Sequence, residues 1–527
     1  MKRNLVLALS LVLLGSLCAV AAEAGNTIRH VLLISVDGMH ALDVERYIQT
    51  HPGSALAALA SHGNTYSNAR TPRLSDSFPG LLALVTGGSP VTGGLFYDVS
   101  YDRTIFDPTN TTCKLPAGNM MVFDESIDVY VNNVSQNMID PTKLPNYIDA
   151  HGNCSRLYPH SALRTNTIFE VVKASGGRTA WEDKHPAYDL VNGPSGTGVD
   201  DLYTPEITNV GGLDNTHSVV CTVMNDQLKV QGILNEINGF THDGKTKVGA
   251  PEVFGMNFQG VSVGEKLITD NYDGSCVADN GYLNGTPGGY LDGSGTPSAV
   301  LAYALDQTDA ALASMIKGLK SQNLYDSTLF IVTAKHGQSP INPLKTVKPG
   351  HFADVVMSLP DGTTNPAAIA ITSANACATG NCGFVNDDDV ALIWLADQNM
   401  GQQVSDYINT NANPLFVEEV MGGNELKLKF NDPITDSRTP DVIVQPVYGT
   451  IYTTSTAKNA EHGGFSFGDT NVGLIVSNPS LTHSVIKSPV ETSQVAPTIL
   501  QALGLNPAAL KAVQVEKTTA LPGYPGH

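Results

Sequence analysis

The chain has 527 residues and a formal net charge of −20, from 30 Lys plus Arg against 50 Asp plus Glu. With 42% hydrophobic and 15% charged residues it can bury a large core, which excludes an intrinsically disordered chain. A protein that tracks duplex nucleic acid needs a basic patch to neutralise phosphates. None is apparent, so we expect no duplex nucleic acid as a partner.

Residues 1–24 have the pattern of a secretory signal peptide. Lys2 and Arg3 precede an apolar run, and Ala22-Glu23-Ala24 offers a cleavage site, with cleavage after Ala21 as the alternative. No other stretch is apolar for long enough to predict a membrane span. We therefore expect a secreted or periplasmic protein.

The mature chain keeps an even number of cysteines, which in an exported protein predicts disulfide bonds. Six are present: Cys113, Cys154, Cys221, Cys276, Cys377 and Cys382. Their order along the chain favours pairing of 113 with 154, 221 with 276, and 377 with 382. The absence of a CxxC pair makes a zinc site built from these cysteines a poor alternative.

HVLLISVDGMH, which starts at His30, is typical of a buried parallel strand that stops at Asp37-Gly38. Asp37 would then lie at the carboxyl edge of the sheet, or else would only open a turn. A helix-like segment, YIQTHPGSALAALASHG, follows. In TPRLSDSFPGLLALVTG, residues 71–87, a polar turn leads into a helix that begins near Ser77. Ser77 is either a helix N-cap or a nucleophile beside the positive end of the helix dipole.

The next segments alternate between loops and regular elements. Residues 88–160 have the composition of loops, 165–177 are predicted to be helical, and 190–250 give no strong signal and suggest an insertion or cap. Between them, Asp183, Lys184 and His185 lie beside a Gly/Pro loop and line either a cleft or a solvated turn. Residues 251–260 predict a strand that carries Asn257 and Gln259.

The second half of the chain continues the alternation. A Gly-rich run containing Asp292 precedes a long amphipathic helix, 298–322, and DSTLFIVTAKHGQSP predicts a buried strand ending at Lys335-His336. Residues 365–430 predict a smaller mixed lobe. The strand at 441–446 is expected to return to the main core, ahead of His462 in a Gly-rich loop and a closing helix, VETSQVAPTILQALGL.

Alternating buried strands and helices predict an α/β fold, with a parallel sheet and helices on both faces. Asp37, Ser77, His336 and His462 all fall at strand ends or in the loops just beyond them. These residue types can supply a hydroxyl nucleophile and a cation site, which points to a metal-assisted hydrolase.

Five segments together resemble the alkaline phosphatase superfamily and, within it, the type I phosphodiesterase/nucleotide pyrophosphatase family. They are VDGMH, SDSFPGLLALVTGGSP with YDVSYD after it, TLFIVTAKHGQSP, AEHGGF and APTILQALGL. The resemblance implies an alkaline-phosphatase-like, mostly parallel sheet over residues 25–527, with cap insertions at about 98–160, 190–250 and 345–435. It also implies an exported, metal-dependent phosphoesterase that acts through a Ser nucleophile on a small-molecule or exposed phosphoester.

Members of the resembled family hold two zinc ions about a phosphoester. Carried over by motif, Asp37 is a metal ligand, Ser77 is the nucleophile and a ligand of the same metal, His336 is another ligand there, and His462 is a ligand of the second metal. Lys184, His185, Asn257 and Gln259 are expected to contact substrate.

The sequence departs from the family pattern at three places. Lys335 stands where the S-D-H-G motif has Asp, and Gly80 stands where the T-F-P-N motif has Asn. The D-x-x-x-H segment is missing, and Asp292 occupies roughly the place of its histidine. One ion is therefore an alternative to two, and calcium or manganese, bound by Asp292, His462 and an amide oxygen, is an alternative to zinc. For Lys335 we expect a catalytic role: it pairs with Asp37, binds ester oxygens, or helps to deprotonate Ser77.

Two other functions remain as alternatives. A sulfate or phosphonate ester hydrolase would share the fold, but Leu81 stands where the sulfatase motif requires Arg. A non-catalytic ligand-binding protein would explain the changes at Lys335 and Gly80.

Overall fold

The computed structural model describes residues 28–209, 215–272, 276, 283–376 and 382–524. The expected signal peptide and Cys377 lie outside these ranges. In chain order the strands are β1 His30–Val36, β2 Gly63–Tyr66, β3 Ala69–Arg70, β4 Val99–Asp102, β5 Asn119–Val122, β6 Asp128–Val131, β7 Val134–Ile139, β8 Asn146–Ile148, β9 Cys154–Arg156, β10 Ala180–Glu182, β11 Asp201–Tyr203, β12 Val253–Phe258, β13 Thr328–Thr333, β14 Gly383–Asp387, β15 Ala391–Leu395, β16 Val417–Gly422, β17 Val442–Pro446, β18 Ile475–Ser477, β19 Ser484–Ile486 and β20 Val490–Glu491.

The α-helices in the same order are α1 Ala41–Thr50, α2 Ala55–Ser61, α3 Ser77–Thr86, α4 Pro90–Gly93, α5 Pro159–Ala162, α6 Ile168–Ala174, α7 Val219–Ile237, α8 Gly260–Lys266, α9 Ala299–Ser321, α10 Phe352–Met357, α11 Pro366–Ala376, α12 Gly401–Thr410, α13 Gly423–Leu426, α14 Phe467–Thr470, α15 Val495–Ala502 and α16 Lys511–Glu516.

An eight-stranded sheet in the order β11-β10-β12-β1-β13-β18-β2-β19 forms the centre of the fold. Its middle strands β10, β12, β1 and β13 are parallel, and β18 runs antiparallel to both of its neighbours. Helices α2, α7, α8 and α9 pack together as one group, and α3, α6, α15 and α16 as another. Residues 31–36 of β1 are buried, as expected of a strand covered on both faces. The predicted α/β fold with a mostly parallel sheet is confirmed.

A second, four-stranded antiparallel sheet in the order β14-β15-β17-β16 has a core of its own, which includes Phe352, Ile371, Ile393 and Val444. The strand expected at 441–446 exists as β17. Our expectation that it returns to the main core is wrong, because it pairs with β15 and β16 instead.

Helix α7 lies in the region 190–250, where the sequence gave no strong signal. It packs against α8, α9 and β12 and therefore belongs to the main fold. Several of its polar side chains, among them Asp226, Lys229 and Glu236, are fully buried or nearly so. These buried polar residues interrupt the apolar stripe by which a helix of this length is normally recognised.

Disulfides join Cys113 to Cys154 and Cys221 to Cys276, as predicted. Such bonds persist in oxidising compartments, so they fit an extracellular setting. Among the described helices, none combines the length and the hydropathy needed to cross a bilayer.

Candidate active site

Four neighbouring parallel strands deliver polar residues to one edge of the sheet. Lys184 follows β10, Gln259 follows β12, Asp37 follows β1 and Lys335 follows β13. Because the carboxyl ends of parallel strands meet at the same edge, residues far apart in sequence become neighbours there.

Ser77 is the first residue of α3, and the N-cap is Asp76, whose carboxylate accepts a hydrogen bond from the backbone N–H of Phe78 (3.1 Å). The alternative that Ser77 itself caps the helix is therefore wrong. Its hydroxyl is left to contact His336 Nε2 at 3.2 Å and Lys184 Nζ at 3.5 Å.

His336 is oriented by the backbone. Its Nδ1 lies 2.9 Å from the carbonyl oxygen of Gly337, which can only accept, so Nδ1 carries the proton. The lone pair of Nε2 then faces the hydroxyl of Ser77. Burial, assisted by the nearby charge of His462, lowers the pKa of His336 to about 4. At neutral pH the ring is uncharged and can accept a proton from Ser77.

Asp37 is surrounded by hydrogen-bond donors that converge on a single oxygen. Its Oδ2 lies 3.1 Å from Lys184 Nζ, 3.1 Å from Asn257 Nδ2 and 3.5 Å from Lys335 Nζ, whereas its Oδ1 has no hydrogen-bond partner. Burial would raise the pKa of Asp37, but Lys335 and Lys184 outweigh it and hold this pKa well below its usual range. The carboxylate is therefore ionised.

The two lysines have different surroundings. Lys184 lines the cavity and also donates to Gln259 Oε1 (2.8 Å). Lys335 is fully buried behind Asp37, where it donates to the Tyr188 hydroxyl (3.0 Å) and lies 3.4 Å from Asp183 Oδ1. Burial lowers the pKa of both ammonium groups. For Lys184 the carboxylates of Asp37 and Asp183 overcome that effect and raise the pKa, while for Lys335 burial prevails.

His462 lies against His336 and beside Asp76, the residue before Ser77. Its ring stacks on that of His336, with centroids 3.8 Å apart, and its Nε2 lies 3.5 Å from Asp76 Oδ1. Burial and Lys266 would lower the pKa of His462, but Asp76 and Glu461 raise it. The carboxylates of Asp76 and Glu461 therefore favour the charged form of His462.

Ser77, Asp76, Lys184, Gln259 and His462 form the floor of a cavity of about 570 Å³, and Asp37, Lys335 and His336 lie buried beneath it. His185, held by Glu206 at 2.7 Å, is part of its wall. Other lining residues include the acidic Asp98, Asp124, Glu125, Asp388 and Glu461 and the aromatic Tyr97, Phe123 and Tyr188. Glu461 pairs with Lys266 (2.9 Å) and Lys458, which also line the cavity, so its walls carry side chains of both charges.

A family model for type I phosphodiesterase / nucleotide pyrophosphatase matches residues 31–117 and 292–466, which include Asp37, Ser77, His336 and His462. The chain belongs to this family. No curated protein sequence matches it significantly.

Solved structures show the same fold across nearly the whole chain. Murine ectonucleotide pyrophosphatase/phosphodiesterase 5 matches at 13% identity and a TM-score of 0.52, covering 94% of this chain and 97% of that one. An inactive variant of it in complex with AMP matches at 13% identity and 0.53, covering 95% and 97%. A variant of the alkaline phosphatase PafA matches at 12% identity and 0.58, covering 95% and 99%. At these identities the likeness shows the fold alone.

In the present chain, Asp292 is not part of the candidate site. It is exposed, and its carboxylate accepts hydrogen bonds from its own turn, from Ser294 and Thr296. These bonds lower its pKa without any help from the residues at the sheet edge. The proposed cation site of Asp292, His462 and an amide oxygen therefore does not form.

The donor set does not fit the two zinc ions that the resemblance implies. Lysine and glutamine stand at 335 and 259, where a carboxylate ligand was expected, and Asp37 Oδ2 already faces two ammonium groups. Within the described residues, only His40, Asp43 and Glu265 bring three imidazole, thiolate or carboxylate ligand atoms within 4.8 Å of one another. Asp37, His336 and His462 do not converge in this way.

The cluster of His40, Asp43 and Glu265 is held by hydrogen bonds and charge pairing within the protein. His40 Nε2 lies 2.8 Å from the carbonyl oxygen of Gln338, which can only accept, so this nitrogen carries a proton. Its Nδ1 lies 3.1 Å from Asp43 Oδ2 and 3.3 Å from Glu265 Oε1. Burial would lower the pKa of His40, but Glu265 and Asp43 outweigh it and hold the pKa well above its ordinary value. A buried imidazolium between two carboxylates accounts for the geometry.

Sequence reasoning missed two residues of the site, Asp76 and Tyr188, and it placed Asp183 beside the loop without its contact to Lys335. The sequence did hold a signal for Asp76, since Asp is a favoured N-cap and directly precedes Ser77. Asp183 and Tyr188 act through Lys335, and no motif spacing announces that contact. Asn257 is present as expected, but it donates to Asp37 and does not line the cavity.

Proposed function

We propose that this chain is an exported phosphoesterase of the phosphodiesterase/nucleotide pyrophosphatase type, with Ser77 as its nucleophile. One observation carries the proposal: the Ser77 hydroxyl lies 3.2 Å from the unprotonated nitrogen of His336, at the start of a helix and beside the Lys184 ammonium. A hydroxyl paired with a base is the usual form of an activated nucleophile, and a helix N-terminus favours a phosphate anion. Membership of the family supports the choice of phosphoester as substrate.

In the first half of the reaction, Ser77 Oγ attacks phosphorus and passes its proton to His336 Nε2. The bond between phosphorus and the leaving oxygen breaks, and that oxygen keeps the electron pair. In the second half, water attacks phosphorus and the bond to Ser77 breaks. Because the pKa of His336 is about 4, its proton passes on through solvent to the leaving oxygen, and the proton released by the attacking water restores the Ser77 hydroxyl.

The cations at the floor stabilise the negative charge that develops on the phosphoryl oxygens. Lys184 and His462 both line the cavity next to Ser77, so they are placed to donate to these oxygens. Gln259 orients the Lys184 ammonium through the 2.8 Å hydrogen bond. Metal dependence, which the resemblance also implied, has the weakest support from the residues present, and we derive no step through a metal ion.

We further propose that the substrate is a small or exposed phosphoester and that duplex nucleic acid is not a substrate. A cavity of about 570 Å³ accommodates a small ester, and the formal net charge of −20 disfavours an extended polyanion. The two disulfides support export, as does the signal-like pattern of residues 1–24.

The test is hydrolysis of bis-p-nitrophenyl phosphate and mono-p-nitrophenyl phosphate by the purified mature chain and by Ser77→Ala. We expect the wild type to cleave the diester and the variant to lose activity by several orders of magnitude, as removal of a nucleophile does in other hydrolases. Mass spectrometry of acid-quenched wild type should detect the phosphoryl adduct on the peptide that contains Ser77.

Ser61→Ala is the matched control, because it removes a hydroxyl from an exposed position at the end of α2. It should retain wild-type activity. Full activity of Ser77→Ala, with an unchanged circular dichroism spectrum, would refute the proposal.

A further inference from the structure

The cations that contact Asp37 belong to the chain itself. Lys184 and Lys335 lie 3.1 Å and 3.5 Å from the same oxygen, Oδ2. This is the carboxylate that the family resemblance assigns to a metal ion. Both ammonium groups are buried or nearly so, with Lys335 fully inaccessible and Lys184 7% exposed.

The buried charges at this position are already balanced. Two carboxylates, Asp37 and Asp183, face two ammonium groups, Lys184 and Lys335, with every side chain nearly or fully inaccessible. Burying a charge is tolerated when it is paired. A divalent ion at Asp37 would add two positive charges next to both ammonium groups, and the further buried carboxylate that acts on Lys184, Asp76, is already engaged by His462 (3.5 Å) and by the backbone N–H of Phe78 (3.1 Å).

Lys184 also contacts the reacting atom. Its Nζ lies 3.1 Å from Asp37 Oδ2, 3.5 Å from Ser77 Oγ and 2.8 Å from Gln259 Oε1. Gln259 stands on the strand from which a carboxylate ligand was expected, and an amide oxygen accepts from an ammonium group without adding negative charge. Glutamine at position 259 is therefore compatible with the Lys184 ammonium group as the cation beside Ser77.

We propose that Lys184 is a catalytic residue that takes the place of a metal ion at Ser77, so that this chain cleaves its phosphoester without a bound divalent cation. The inference rests on the proposed function and specifies its chemistry. Lys184 donates to the developing Ser77 alkoxide and to a phosphoryl oxygen. Lys335, behind Asp37 and out of the cavity, is a positioning residue that neutralises this carboxylate.

The experiment uses the mature chain after treatment with a chelator, with its metal content measured by mass spectrometry. Binding of inorganic phosphate is followed by calorimetry, and cleavage of bis-p-nitrophenyl phosphate is followed in parallel, with and without added zinc, manganese or calcium. Lys184→Met is compared with Lys245→Met, which removes a lysine whose side chain is 80% exposed.

We expect the metal-free wild type to bind phosphate and to cleave the diester, with no gain from added metal. Lys184→Met should bind phosphate roughly 10- to 100-fold more weakly, the usual cost of losing one hydrogen bond to a charged group. It should also lose roughly 10²- to 10³-fold in kcat, as other hydrolases do when one donor to the transition state is removed. Lys245→Met should match the wild type in both measurements.

Phosphate binding or Ser77-dependent cleavage that appears only after metal is restored would overturn the inference and leave the proposed function intact. Wild-type affinity for phosphate in a folded Lys184→Met would also overturn it. Absence of any cleavage, combined with metal-free phosphate binding that depends on Lys184, would instead refute the proposed function and retain the cation role of Lys184.

Discussion

Replacing Lys335 by Met tests whether the four buried charges form one coupled cluster. Met has a similar length and fills the same space, so the change chiefly removes the ammonium group. Asp37 and Asp183 would then share Lys184 alone. Removing one partner of a buried ion pair costs about 3–5 kcal/mol, because the remaining charge is uncompensated. We expect Lys335→Met to lose that much unfolding free energy.

A second replacement restores the balance of charge. Adding Asp183→Asn leaves one carboxylate for one ammonium group, so the double variant should regain part of the lost stability. The recovery is incomplete because Asp183 accepts from Trp181 Nε1 through one oxygen (3.0 Å) and from the backbone N–H of Lys184 through the other (2.9 Å). Asn keeps one acceptor only, and the unsatisfied donor costs about 1–3 kcal/mol.

Urea unfolding followed by tryptophan fluorescence measures these changes. The chain has two tryptophans: Trp181 in β10 reports on the main sheet, and Trp394 lies in the second sheet. A Trp394→Phe background therefore isolates the signal beside the cluster. Lys245→Met should leave the midpoint unchanged. A loss of less than about 0.5 kcal/mol in Lys335→Met, the range of ordinary surface changes, would refute the reasoning.

Three further predictions concern stability and pH. In Gly80→Ala the new Cβ would lie 1.9 Å from the carbonyl oxygen of Lys335, so we expect a loss of about 1–3 kcal/mol in urea unfolding; an unchanged midpoint would contradict the close packing of α3. The pKa of His336 is depressed from 6.5 to about 4, so between these pH values the unfolded state binds more protons than the folded state. The free energy of unfolding should therefore fall by up to about 3 kcal/mol as the pH drops from 6.5 to 4. His336→Asn should show a flatter dependence on pH. The pKa of His40 is raised, so its contribution to the free energy of unfolding is present below pH 6.5 and is lost as the pH rises through the folded-state pKa. His40→Leu should lower the free energy of unfolding by about 3–5 kcal/mol and should not show this loss of stability at alkaline pH.

The sequence was sufficient to predict the central parallel strands β1, β12 and β13 and the polar residues that follow them. Buried strands such as β1 and β13 are continuous apolar runs, and polar residues directly after them have nowhere to lie except at the strand ends. Asp37 and His336 were located by this argument alone. Ser77 was located by the switch from a polar turn to an apolar helix.

Pairing between strands was not predictable in the same way. The apolar residues of β17 identify a strand but not its neighbours, since a buried run fits the core of either sheet. The prediction that Asp292 binds a cation at the site was wrong for a related reason. Its position was inferred from its order before α9, and motif order does not determine the path of a Gly-rich loop.

The role of Lys184 emerges only when strand order is known. Asp37 and Lys184 are 147 positions apart in the sequence, yet β12 alone separates their strands in the sheet. In sequence, the lysine at 335 stands as an isolated departure that removes a carboxylate, and it argues equally for lost activity and for altered chemistry. In the sheet it is accompanied by Lys184 and Gln259, which follow neighbouring strands, and the three residues together keep the buried charge at Asp37 balanced. Loss of function would require no such balance around Ser77, so this compensation favours a working site with altered chemistry.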